Sequence, residues 1–170
     1  MADEKKYAKY IYEMPRCEPR EHFEGKVNHV MIFDSIDCPE NKLWFSVYEV
    51  YAPGSGQGMG DTWEIPSMAG ETVTETGHFH DVPEVHLFFG SDPEHPDDLG
   101  GEVEVWLGSG EDAEKYVITK KTAIYCPPGL VHTPFYYRKV THPPYYQIAI
   151  LSAPEITAEQ TGELPPGFKR

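Results

Sequence analysis

Two stretches decide the reading of this chain: Gly77-His78-Phe79-His80-Asp81-Val82-Pro83-Glu84, and further on Pro127-Pro128-Gly129-Leu130-Val131-His132. In an extended strand successive side chains point to opposite faces, so residues two apart share one side. His78 and His80 therefore project together, roughly 7 Å apart along the strand. Glu84 has the same parity, provided that the Asp81-Val82-Pro83 break keeps the register. Two imidazoles and a carboxylate are the mixed nitrogen and oxygen donors that suit first-row divalent metals. They converge on one point only where a sheet curves, as it does in a small barrel. A further ligand has to arrive from a distant strand, and His132 follows a turn able to deliver it.

Singly these signals mean little. A lone His-X-His is usually a partly exposed pair, and a lone Pro-X-Gly is usually just a turn, since Pro presets φ and Gly accepts positive φ. Their joint occurrence, in this order and with Glu84 in place, is much harder to reach by accident. Residues 77–84 followed by Gly90 resemble the first cupin motif, HxH-x(3,4)-E-x(6)-G, and residues 127–132 resemble the core of the second, PxGxxH. The resemblance covers roughly residues 42–151 and is to single-domain, metal-binding cupins. It implies an all-β jelly-roll barrel (a double-stranded β-helix) holding one divalent transition metal, with Fe, Mn, Zn and Ni all acceptable to the donor set. Carried over residue by residue, the ligands are His78, His80, Glu84 and His132. The chain departs from the pattern in three places. Five residues, not six, separate Glu84 from Gly90; the segment between the motifs is long and includes a polar run, 91–101; and Tyr136 stands where the second motif usually ends in Asn. None of these touches a ligand, but all bear on pocket shape and hence on substrate.

The bulk properties agree with a single small β domain. At 170 residues the chain is long enough to bury about two-thirds of its unfolded surface. A hydrophobic share of 39%, with 13% aromatics, is enough for a core. Sixteen prolines and fifteen glycines spread along the chain mean many turns and short elements, which favours an all-β fold over a bundle. The formal charge of −14 repels polyanions, so neither nucleic acid nor an anionic membrane is an expected partner. No stretch approaches the length of a membrane span, and the first residues lack the apolar run of a signal peptide. Cys17, Cys38 and Cys126 are an odd number without CxxC spacing and read as free thiols in a reducing, cytoplasmic setting. Cys126 precedes the Pro-Pro-Gly turn and fits either a small buried apolar role or an approach to the cavity.

Along the chain, residues 1–41 read as an N-terminal arm with the first strand, 42–151 as the barrel and 152–170 as a tail with little to bury. Residues 2–12 suit a short helix or an arm packed on the barrel or on a second subunit, and the resemblance implies a homodimer. Strands are expected at 28–34, 43–51, 84–89, 102–107, 116–119, 123–125 and 145–151, from their aromatic and β-branched content. The Gly-rich stretch 53–60 reads as a flexible loop with nothing to pack. In 84–89 alternation puts Glu84, His86 and Phe88 on one face, so His86 points into the barrel beside Glu84.

His86 and Tyr136 are the candidate catalytic residues. His86 fits an acid/base near the metal or a core histidine hydrogen-bonded to a neighbour. Parity from His132 puts Tyr136 and Arg138 on the ligand's side. Tyr136 and Gln147 then either line the cavity or simply pack, and one of His86, Tyr136 and Gln147 should lie within reach of a ligand. Arg138 suits a substrate carboxylate or an ordinary salt bridge. His22 and His29 carry no role, and His95 and His142 read as surface. A metal with about two positions left open by four protein ligands suits a bidentate hydroxy-acid or enediol, whose developing charge it stabilises. The leading expectation is a metal-dependent enzyme acting on a small oxygenated metabolite by lyase- or isomerase-type Lewis-acid chemistry. The alternatives are an Fe(II)-dependent dioxygenase at the same ligands and a non-catalytic metabolite binder, since the fold alone does not choose.

Overall fold

The computed structural model describes residues 8–12, 27–55, 65–66, 72–73, 77–132, 135–154 and 160–162. Among these residues helix is confined to two 3₁₀ turns, Ala8–Tyr10 and Gly110–Asp112. The strands are β1 (Val27–Phe33), β2 (Trp44–Val50), β3 (Gly54–Ser55), β4 (Ile65–Pro66), β5 (Thr72–Val73), β6 (Gly77–Phe79), β7 (Glu84–Phe89), β8 (Asp98–Leu107), β9 (Glu114–Lys120), β10 (Thr122–Cys126), β11 (Phe135–Val140), β12 (Tyr145–Leu151) and β13 (Gln160–Gly162). They form a five-stranded sheet, β1-β2-β12-β7-β10, and a four-stranded sheet, β3-β11-β8-β9, with two-stranded pairs β13-β6 and β4-β5. The described pairings are antiparallel, and no ladder joins the two large sheets among the described residues. This is the expected all-β jelly-roll class, as two facing sheets rather than a hydrogen-bonded closed barrel.

The alternation in sequence becomes alternation in burial. Along β2 and β12 every second residue is buried, and β7 buries Glu84, His86 and Phe88 while Val85, Leu87 and Phe89 are less covered. The main core lies between the sheets: Tyr48, Val50, Phe88 and Tyr145 from one meet Leu99, Val103, Val105, Ile118, Phe135 and Tyr137 from the other. A smaller cluster of Trp44, Ala149, Leu151 and Ala153 extends the inner face toward the Glu84 end of β7.

Three stretches differ from the sequence expectation. The strand expected at 102–107 begins earlier, at Asp98 within the polar run 91–101, and buries Leu99 completely. Gly90 explains part of this: a Cβ there would lie 2.4 Å from the Asp98 carbonyl oxygen, so only glycine permits the approach. Within the Gly-rich stretch, Gly54 and Ser55 pair with Tyr137 and Tyr136. The tail, with few apolar residues, supplies β13, which pairs with β6 through Thr161 and His78. In these last two cases main-chain pairing defines the strand. At the N-terminus the ring of Tyr12 packs edge-on to Phe33 at 5.3 Å, whereas Tyr7, Cys17 and His22 lie outside the described residues.

Candidate metal centre

The two sequence motifs meet through the backbone. The amide of His132 donates to the carbonyl of His78 at 3.1 Å, and the amide of Gly129 donates to the carbonyl of His80 at 2.9 Å. Gly129 turns with φ +82°, and Leu130 closes the turn by donating to Pro127 at 3.1 Å. On the other flank Gly108 donates to the carbonyl of Val131 at 2.8 Å. The Pro-Pro-Gly loop is thus fastened along the His-Phe-His segment, and three imidazoles are brought together. Ring centroids of His78 lie 5.2 Å from His80 and 4.7 Å from His132. Glu84 enters from the first position of β7.

His78, His80, Glu84 and His132 each offer one ligand atom, and these atoms lie within 4.8 Å of one another. Two donors on opposite sides of an ion with bonds of about 2.1 Å stand about 4.2 Å apart, so the group surrounds a point that one cation can occupy. Glu84 Oε2 is 2.8 Å from His132 Nε2 and 3.5 Å from His80 Nε2. Adjacent ligands of a common ion are about 3 Å apart at that bond length. Glu84 Oε2 and His132 Nε2, in two almost fully buried residues, have no partner closer than one another among the described residues. Buried polar atoms are nearly always satisfied, and a cation at the point that these four donors face would satisfy them together. His132 Nδ1 donates to the carbonyl of Leu130 at 2.8 Å, which leaves the Nε2 lone pair for a metal.

Electrostatics keep His78, His80 and Glu84 in ligand form. His78 is the most exposed of the four, yet desolvation first and the neighbouring His132 second pull it down to about 3. His80 and His86 are also lowered, chiefly by burial. For Glu84 burial pushes upward, but contact with His132 and His86 more than offsets it, and the carboxyl lies well below its ordinary range. Neutral imidazoles and an ionised carboxylate are the forms that bind metal.

The other candidates separate cleanly. His86 is buried with its Nε2 3.4 Å from Glu84 Oε1, and Phe135 covers its ring at 4.8 Å. Gln147 lies on the same inner face of the sheet, with its amide nitrogen 3.4 Å from His86 Nδ1. Tyr136 is not brought to the cluster. β11 pairs Phe135 with Val105 and Tyr137 with Val103, so those two aromatics enter the core and Tyr136, opposite Glu104, turns the other way. It packs beneath Arg138, whose guanidinium lies 4.3 Å from the ring centroid. Arg138 in turn grips Glu104 with two bonds of 3.0 Å, the salt-bridge reading of that residue. Tyr137, which the sequence reading passed over, is the tyrosine of this strand on the inner face. Cys126 is paired with Glu84 and buried; burial first and the Glu84 charge second push its thiol up to about 12. His95 is exposed beside Asp92 at 2.9 Å, and His142 is also on the surface.

No protein-family model matches this sequence, and no curated protein matches it. Solved structures do match. An oxalate oxidase in complex with glycolate gives a TM-score of 0.50 at 12% identity, over 88% of this chain and 62% of that one. An oxalate decarboxylase, studied for its substrate binding mode and a reaction specificity switch, gives 0.51 at 16% identity, over 88% of this chain and 31% of that one. This chain has the cupin fold. It spans only 27% of a Bacillus subtilis oxalate decarboxylase deletion mutant that it also resembles, at 10% identity over 79% of this chain and a TM-score of 0.48. The likenesses at TM-scores of 0.50 and 0.51 carry the fold, and the His/His/Glu/His group rests on this chain's own geometry.

Proposed function

We propose that this chain is a metal-dependent cupin enzyme that holds one divalent transition metal (Fe, Mn, Zn or Ni) on His78, His80, Glu84 and His132. It acts on a small oxygenated metabolite by Lewis-acid chemistry of the lyase or isomerase type. The observation that carries the reading is the convergence of one ligand atom from each of His78, His80, Glu84 and His132, all within 4.8 Å of one another, with three of the four residues buried. A cation bound there polarises a substrate oxygen and stabilises developing enolate or alkoxide charge. Four protein ligands leave about two positions of an octahedral ion for a chelating substrate. Glycolate, bound by the oxalate oxidase of this fold, is a small oxyacid of the kind such an arrangement would chelate.

The chain's own groups support this role. The Leu130 carbonyl fixes the orientation of His132. Phe135, backed by Phe88 at 6.0 Å, keeps water from the buried side of His86. His86, beside Glu84 on β7, bears on the site through that carboxylate, whereas Tyr136 lies on the opposite face.

The test is elemental analysis of anaerobically purified protein, alongside metal titration of His132→Ala. The wild type is expected to carry one equivalent of metal, and the variant to bind at least about 100-fold more weakly with an unchanged β spectrum. Full metal occupancy in His132→Ala at equal metal concentration would end the proposal. Turnover of hydroxy-acids without oxygen is expected, and turnover that requires oxygen would replace the Lewis-acid reading with the dioxygenase one.

A further inference from the structure

A relay of three buried side chains runs from the second sheet to the candidate ligands. The Tyr137 hydroxyl, on β11, donates to Gln147 Oε1 on β12. With its oxygen so occupied, Gln147 turns its amide nitrogen to His86 Nδ1, 3.4 Å away on β7. On the far side of the ring, His86 Nε2 stands 3.4 Å from Glu84 Oε1. All three side chains of the relay are at most 1% exposed.

We propose that Tyr137 and Gln147 are positioning residues that hold His86 as its Nε2–H tautomer, making it a fixed donor to Glu84 Oε1, so that Glu84 meets a cation through Oε2 alone. A neutral imidazole carries one N–H, and the nitrogen that accepts a hydrogen bond decides where it sits. Here Nδ1 faces an amide N–H, which places the ring proton on Nε2. The opposite tautomer would set Nδ1–H against the amide hydrogens and a ring lone pair against a carboxylate oxygen. Both contacts are repulsive, and burial makes them more so. The two carboxylate oxygens therefore have separate duties. Oε1 belongs to His86, and Oε2, 2.8 Å from His132 Nε2, belongs to the ligand group.

The role of Glu84 Oε2 rests on the proposed metal reading, but the tautomer does not, and the experiment separates them. In metal-free, ¹⁵N-labelled protein, long-range proton–nitrogen correlations of the His86 ring report which nitrogen is protonated. Protonated Nε2 and bare Nδ1 are expected in the wild type, and a mixture of tautomers in Gln147→Leu. Tyr137→Phe, which keeps the ring, is expected to shift the balance in the same direction and serves if Gln147→Leu does not fold. His86 protonated on Nδ1 in the wild type, or unmoved in the variants, would overturn the assignment. With Zn²⁺ added, the crystal structure is expected to show one oxygen of Glu84 on the ion; two would overturn the division of the carboxylate. A protein that takes no Zn²⁺ yet shows Nε2–H would sink the function proposed above and leave the His86 assignment standing.

Discussion

The inner face of β7 runs through two different environments within three strand positions. Phe88 sits in an aromatic core, edge-on to Phe135 at 6.0 Å and surrounded by Tyr48, Tyr137 and Tyr145. Glu84 and His86, on the same face, sit among imidazoles with several buried polar atoms not hydrogen-bonded. The core end is held by apolar burial between two sheets, a term of about 25 cal/mol per Å². The other end has only the smaller cluster of Trp44, Ala149, Leu151 and Ala153 beside it and carries the cost of desolvating a carboxylate and several rings. It is held in shape instead by loop-to-strand backbone bonds from His132 to His78 and from Gly129 to His80. Stability and chemistry thus occupy opposite ends of one strand, with Phe135 touching both.

Phe135 is therefore the residue whose loss should blur the distinction. Phe135→Ala is expected to cost about 3–5 kcal/mol in urea unfolding and to loosen His86 as well. A cost below 1 kcal/mol would mean that the core does not depend on this contact. A cation should act on the other end. Zn²⁺ at about 100 times its dissociation constant is expected to stabilise the protein by about 2.7 kcal/mol. In hydrogen exchange the amides of Gly129 and His132 should gain local protection, while those of β12 change only with global stability. Equal local gains in β12 would show that the two ends are not separable.

The effect smallest per step concerns acid. His78 is held at about 3 in the folded protein against an ordinary value of 6.5, so the unfolded chain binds a proton that the native protein refuses. That contribution is full above the ordinary value and is lost as pH falls from 6.5 toward 3. In metal-free protein with chelator, His78 should add at most about 1.4 kcal/mol per pH unit to the acid loss of stability. His78→Gln should flatten the slope by that amount, and an unchanged slope would remove His78 from the acid response.

Most of this division was legible before any coordinates. His78, His80 and Glu84 could be placed on one side from strand parity, and His132 from a turn whose Pro and Gly set its geometry. The alternation of Glu84, His86 and Phe88 was equally readable, because β7 is one uninterrupted strand. Tyr136 was misplaced because parity was counted onward from His132, whereas β11 begins at Phe135 and takes its register from β8. The alternating Val103 and Val105 carried the better signal, since a strand paired with them must turn Phe135 and Tyr137 inward. Residues 54–55 and 160–162 became strands through main-chain pairing, which leaves no trace in side-chain pattern. The relay from Tyr137 to His86 spans three strands and could not be read from any one of them.

The fastening of the Pro-Pro-Gly loop has a consequence for how this chain tolerates change. Its bonds to the His-Phe-His segment are made by peptide groups, so the identities of Leu130 and Val131 matter far less than their number. Inserting one residue between Gly129 and His132 would slide one of the two amides off its carbonyl and swing the imidazole-bearing position away, even with every ligand still present. The forty-two residues separating Glu84 from Pro127 carry no such limit, because the strands between them, not a count, set the distance. Length variation should therefore be free in the surface turns of that span and forbidden within three consecutive peptide bonds.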